Sequence, residues 1–339
     1  MKISILVPHW KTGKMSAYAI SQLLKYKGKH EIEIFVINNN SGDGSEEYLK
    51  PFWGDIKYYE YPKDRVQSHG CAFDFVLPNV TTTHFITIES DAYPTKEGFL
   101  DYYEHLIEND IHCAGSVLKL SGGQYLHGAG ALYSKSNWDE AKKYCDNIEY
   151  TYFPNASMKD GFQSHLMVKK SFLDSFLQSP ESFIEVASGY VGKDAEYWMQ
   201  RAEYYSATCN PFHNGMGMID ESVNTYGQRC FASEIPNVLL DNKKALINRV
   251  GYEPSQWISY WHLAMGKKTF AIPTEIKWLP NRGGQQQEYT LMENGFIHRW
   301  GISAYHDGGN EDTQDIAKVK TSLPDILYDT LPDHQKIKF

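Results

Sequence analysis

The first hundred or so residues alternate between short apolar runs and longer stretches with apolar residues at helical spacing. No other feature narrows the possible folds as much. KISILV (2–7) is a mainly apolar run closed by Pro8, as expected of a buried strand, and residues 15–26 then place apolar side chains every three to four positions. EIEIFVI (31–37) is β-branched and aromatic, and NNNSGDGS (38–45) supplies turn residues and a helix start ahead of Glu46, Tyr48 and Leu49. IKYYEYP, a helical stretch over 65–77, HFITIE, a helical stretch over 95–108 and IHCAGSVLKL continue the pattern. Strands alternating with helices of roughly 10–15 residues predict βαβ units, hence an α/β fold with a mostly parallel sheet flanked by helices on both faces.

Past residue 120 the alternation weakens. GGQYLHGAGALYS reads as a glycine-rich hairpin, while 138–145, 160–177 and 194–207 read as helical. Beyond residue 210 the clusters HNGMGM, NRGGQQQ and HDGGNED separate short helical pieces at 242–250 and 254–265. With no internal repeat and no low-complexity linker, the simplest division is one domain over 1–210 and an irregular, partly helical C-terminal extension, 211–339, packed on it.

Composition excludes several classes. A formal charge of −9 argues against a broad surface that tracks phosphates, so nucleic acid is a disfavoured partner. The five cysteines are odd in number, scattered and without a CxxC pair, which fits reduced thiols better than a disulfide framework or a zinc site. No run approaches the roughly 20 apolar residues of a membrane span. Pro8, His9 and Trp10 interrupt the N-terminal apolar run before it could serve as a signal peptide, so a cytoplasmic location is expected. Aromatics at 14% are abundant enough to provide stacking surfaces for sugars or bases besides a core.

Parallel sheets bind ligands beyond the carboxyl ends of their strands. The polar strand ends here are PHW, NNNSGDGS and ESDAYP, which this topology brings to one edge. Glu89 and Asp91, one residue apart, suit a hard divalent cation that takes carboxylate oxygens and completes its shell with phosphate and water. The same pair also reads as solvated acids in a strand-ending turn. Asn38 and Asn39 offer amides to a nucleobase edge, and the helix start after them offers N–H groups to an anion, although such clusters also form plain turns.

Taken in order, ISILVPHW, EIEIFVINNNSGDGS and HFITIESDAYP resemble the N-terminal half of the family 2 glycosyltransferases with the GT-A fold, over about residues 2–110. The resemblance implies a Rossmann-like GT-A sheet. It places Pro8, His9 and Trp10 beside a nucleotide, with Asn38 and Asn39 where the family often has an Asp against the base. Arg65, in YPKDRVQSHG, is placed like basic residues that touch the nucleotide. Glu89 stands at the first acidic position, near both nucleotide and metal, where Asp is commoner. Asp91 matches the second and is implied as a ligand of Mn²⁺ or Mg²⁺.

GYVGKDAEYWMQRAEYY (189–205) resembles the family's later acidic motif, with Asp194 at the position of the catalytic base and Lys193 replacing the usual first acid. Asp220 and Glu221, in GMGMIDES, are rival bases. HGAGALYS (127–134) resembles the small-residue strand that precedes the acceptor site. FIHRWGISAYHDGG holds two candidates for a late histidine metal ligand, His298 and His306, of which His306 is expected because its loop is flanked by glycines.

The implied activity is transfer of a sugar, with inversion, from a nucleotide-sugar donor to a carbohydrate acceptor such as a glycan or glycolipid precursor. A protein or a modified DNA base is the alternative acceptor. A non-catalytic carbohydrate- or nucleotide-binding protein on the same fold is the rival of another class. The sugar-phosphate nucleotidyltransferases are disfavoured, since PHWKTGK lacks their glycine-rich basic loop.

Overall fold

The computed structural model describes residues 1–62, 69–120, 123–147, 150–152, 167–169, 251–252, 255, 258–259, 261–262, 265–278, 287–299 and 323–337. In chain order the elements are β1 (Lys2–His9), α1 (Gly13–Tyr26), β2 (Glu31–Asn38), β3 (Ile56–Glu60), α2 (His69–Val76), β4 (His84–Thr87), β5 (Ala92–Pro94), α3 (Phe99–Glu108), β6 (Cys113–Gly115), β7 (Val117–Leu120), β8 (Gly123–Leu126), β9 (Ala131–Ser134) and α4 (Lys135–Asn147). They continue with β10 (Tyr150–Tyr152), β11 (Met167–Lys169), β12 (Gly251–Tyr252), β13 (Thr269–Ala271), β14 (Thr274–Trp278), β15 (Gln287–Met292) and β16 (Phe296–His298).

Among the described residues the main sheet has seven strands in the order β13-β6-β9-β4-β1-β2-β3. Only β9 runs against the others. β1 is buried at every residue but its first, which is why its sequence is a run rather than an alternation. Successive side chains still point to opposite faces. Leu6, Phe35, Ile37 and Phe85 pack with Phe73 and Val76 of α2 and Trp138 of α4. Ile5, Val7, Ile34, Val36 and Ile86 pack with Ile20 and Leu23 of α1 and Phe99 and Tyr103 of α3. The result is a three-layer α/β sandwich with a mostly parallel sheet, the expected class. No helix among the described residues is long and apolar enough to cross a membrane.

A second, antiparallel sheet, β14-β15-β16-β5, grows out of the turn that follows β4. Its strands β14 to β16, together with β13 in the main sheet, come from the stretch read as extension, so that stretch is woven into both sheets.

Four local expectations are corrected. Ser45–Phe52 forms a 3-10 helix rather than an α-helix, and Pro51 lies inside it, removing a backbone donor. IHCAGSVLKL is two strands, because the chain leaves the main sheet at Ser116 and β7 pairs with β8 instead. Met167–Lys169, inside the expected helix 160–177, is a strand held antiparallel between β10 and β12, where long-range pairing overrides local preference. The helix expected over 95–108 begins only at Phe99, after Gly98 at φ 84°.

Candidate metal and nucleotide site

Strands β4, β1 and β2 are adjacent and parallel, so the three polar loops do meet at one edge. At the end of β4 the Ile88 amide still donates to Leu6 O at 3.0 Å, after which Ala92 N donates back to Glu89 O at 3.0 Å. This four-residue turn sets Glu89 and Asp91 side by side. Asp91 is buried and Glu89 half-buried. β5 then leaves the turn and pairs with β16 in a register that puts His298 opposite Ala92, while Arg299 N donates to Asp91 O at 3.0 Å.

His298 Nε2 consequently lies 3.2 Å from Glu89 Oε2 and 3.4 Å from Asp91 Oδ1. On the other side of Glu89, His127 Nε2 lies 3.4 Å from Oε1. Both histidines are buried, their rings nearly parallel with centroids 5.1 Å apart. Burial acts to lower the His298 pKa, but the charges of Glu89 and Asp91 and its hydrogen bonds to them outweigh it and push it up to about 10. Two carboxylates against one buried imidazole favour a positive charge there, and in the protein alone an imidazolium supplies it.

The donor set fits a divalent cation. Ligand atoms of Glu89, His127 and His298 lie within 4.8 Å of one another. Two ligands at right angles on an ion ~2.1 Å away are about 3 Å apart, close to the spacings from His298 to the two carboxylates. Carboxylate and imidazole donors together suit Mn²⁺ and its transition-metal neighbours.

The β1 and β2 ends are built differently. Gly13, at the start of α1, packs so tightly on the next loop that a Cβ there would stand 2.2 Å from Ser45 O. His9, fully buried, bridges that contact: Nδ1 meets Ser16 Oγ at 3.0 Å and Nε2 meets Ser45 Oγ at 3.0 Å. Burial pushes its pKa down to about 4. Asn39 N donates to His9 O, and Lys11 N to Ser41 Oγ at 3.0 Å, joining the loop after β1 to the loop after β2, in which Lys11 and Asn40 respectively adopt left-handed backbone. Asn38 Oδ1 accepts from Ser41 N and Oγ, and its Nδ2 donates to Glu60 Oε2 at 3.0 Å. Trp10 is buried, with Lys11 Nζ 4.9 Å from its ring centroid.

Of the residues singled out from sequence, the structure brings Glu89 and Asp91 together and sets Pro8, His9, Trp10, Asn38 and Asn39 along the same edge, but it turns His9 and the Asn38 amide into internal braces. Arg65, Asp194, Asp220, Glu221 and His306 lie outside the described residues. Sequence reasoning passed over His298 in favour of His306, read His127 only as part of a small-residue strand, and did not notice Glu60. For His298 a usable signal exists, since Gly295 followed by FIH reads as a turn and an apolar strand.

Residues 4–162 match the family described as Glycosyl transferase family 2. The match covers just under half of the chain, and this segment is similar to a family 2 glycosyltransferase domain. Glu89, Asp91 and His127 fall inside the matched segment, and His298 falls beyond it. No curated protein matches the chain. Among solved structures, S. aureus TarS is similar at 17% identity over 45% of this chain and 30% of that one, with a TM-score of 0.35. S. aureus TarS 1–349 in complex with UDP is similar at 16% identity over 45% of this chain and 50% of that one, with a TM-score of 0.32. The chain thus spans half or less of the length of either TarS chain.

Proposed function

We propose that this protein is a metal-dependent, inverting glycosyltransferase that moves a sugar from a nucleotide-sugar donor to a hydroxyl of a carbohydrate acceptor, with a glycan or glycolipid precursor as the substrate class. The observation that carries the reading is the convergence of Glu89, Asp91 and His298 at the end of β4, inside and against the segment similar to a family 2 domain, at the sheet edge where the β1 and β2 loops also end.

In this reading Asp91, Glu89 and His298 hold Mn²⁺ or Mg²⁺. The bound cation would neutralise charge on the departing nucleoside diphosphate. Pro8, Trp10, Asn39 and Arg65 form the nucleoside cradle, while His9 and Asn38 stiffen it from behind through Ser16, Ser45 and Glu60. Glu60, fixed by Asn38 and by the Tyr58 hydroxyl at 2.9 Å, offers a carboxylate that only accepts, and so reads N–H groups of a base. Asp194 takes the acceptor hydroxyl proton as the new glycosidic bond forms and the sugar–phosphate bond breaks, its electron pair staying on the diphosphate. Asp220 and Glu221 are the alternative bases. The segment 211–339 shapes the acceptor site, a role supported by its described strands reaching the metal site through β16.

The test is transfer and donor hydrolysis across a panel of nucleotide sugars, with and without chelator, in wild type and Asp194→Asn. Chelator-sensitive turnover, reduced at least ~100-fold in Asp194→Asn with donor binding intact, supports the proposal. Lys193 in place of the family's acid favours one other reading, a non-catalytic binding protein. Donor binding with no turnover in wild type would select it.

A further inference from the structure

We propose that His127 is a positioning residue that aims Glu89 and does not itself ligate the metal. The inference rests on the reading of Glu89, Asp91 and His298 as a cation site.

A backbone amide can only donate, and Ala129 N lies 3.3 Å from His127 Nδ1 with its N–H directed at that atom. Nδ1 must therefore present its lone pair. A neutral imidazole with a lone pair on Nδ1 carries its proton on Nε2. That nitrogen faces Glu89 Oε1 at 3.4 Å, a long contact across which it donates. A protonated Nε2 has no lone pair for a metal. Proximity alone groups His127 with Glu89 and His298, and the Ala129 amide separates it from them.

The ring is held firmly enough to do this. His127 N donates to Ser116 O at 2.8 Å, Thr87 Oγ1 donates to Gly128 O at 2.6 Å, and Gly130 N donates to Thr87 O at 2.9 Å. Thr87 ends β4, two residues before Glu89, so the loop carrying His127 is clamped to the strand carrying the carboxylate it orients. Gly130 at φ 75° lies against Met292 and Phe296, which leaves no room for a Cβ. Glu has one more rotatable bond than Asp, and a fixed donor on Oε1 restrains it while Oε2 faces the His298 side.

Calorimetric titration of the metal-free full chain with Mn²⁺ tests this, together with pulsed electron paramagnetic resonance of Mn²⁺-loaded protein labelled with ¹⁵N-histidine, which counts coordinated imidazoles. The proposal predicts one coordinated imidazole in wild type, lost in His298→Ala and kept in His127→Ala. It also predicts Mn²⁺ affinity about 10–100-fold weaker in His127→Ala and restored to within a few-fold in His127→Gln, which keeps an N–H donor. A second coordinated imidazole, unchanged affinity in His127→Ala, or equal loss in both His127 variants would each overturn the proposal while leaving the cation site standing. Failure of wild type to bind Mn²⁺ would overturn it through its premise.

Discussion

His9 ends β1 of the main sheet and His298 ends β16 of the antiparallel sheet; both are buried, yet their surroundings drive them in opposite directions. His9 is ringed by the hydroxyls of Thr12, Ser16 and Ser45, neutral partners that cannot repay the loss of solvation, and its pKa falls to about 4. His298 is as dry but faces Glu89 and Asp91, and its pKa climbs to about 10. The first region is a finished neutral brace. The second sets two carboxylates against a buried imidazole, the arrangement on which the proposed cation site rests.

That contrast can be broken most directly at the two histidines considered as late ligands. His298→Ala should weaken Mn²⁺ binding by at least ~10-fold, measured by calorimetry, whereas His306→Ala should change it less than about 2-fold. The reverse result would move the metal site away from β16. At the brace, Gly13→Ala forces Ser45 O away from α1 and should cost about 1–3 kcal/mol in denaturant unfolding, with Mn²⁺ affinity unchanged. A coupled loss of metal binding would show that the two regions are one unit.

The smallest effect expected is on acid stability. Because His9 is neutral when folded and has its ordinary pKa near 6.5 when unfolded, its contribution is fully present above pH 6.5. It fades as pH falls toward 4, by up to about 1.4 kcal/mol per pH unit. His262, also lowered to about 4 by burial, adds to the same limb, so the measurement is the difference between wild type and His9→Gln unfolding at pH 7 and pH 5. An identical pH slope in the two proteins would mean that His9 is not the neutral brace described.

How much of this the sequence reveals depends on the reach of each interaction. β1, β2 and β4 were legible because strands buried on both faces write themselves as local apolar runs, and a parallel order then puts PHW, NNNSGDGS and ESD on one edge. The pairing of Glu89 with Asp91 was legible for the same local reason. His298 was not, because its place is set by β5 and β16 pairing across some two hundred positions, fastened by contacts such as Thr95 Oγ1 to Gly295 O and Lys96 Nζ to Glu293 O. His127 was hidden differently. Nothing in HGAG specifies a tautomer, which depends on an amide two residues on and a carboxylate on another strand. The resemblance places His9 beside a nucleotide, and Asn38 reads as an amide for a base edge. The close approach of Gly13 to Ser45 around His9, and the hold of Ser41 and Glu60 on Asn38, are packing facts without a sequence period.

The central claim is that the end of β4 holds a divalent cation against the diphosphate of a nucleotide. Calorimetric titration of wild type and Asp91→Ala with a panel of nucleoside diphosphates in the presence and absence of Mn²⁺ tests it most directly. The account predicts tight binding of one nucleotide that requires Mn²⁺ and is lost in Asp91→Ala. Binding that is indifferent to Mn²⁺ and survives the substitution would contradict it.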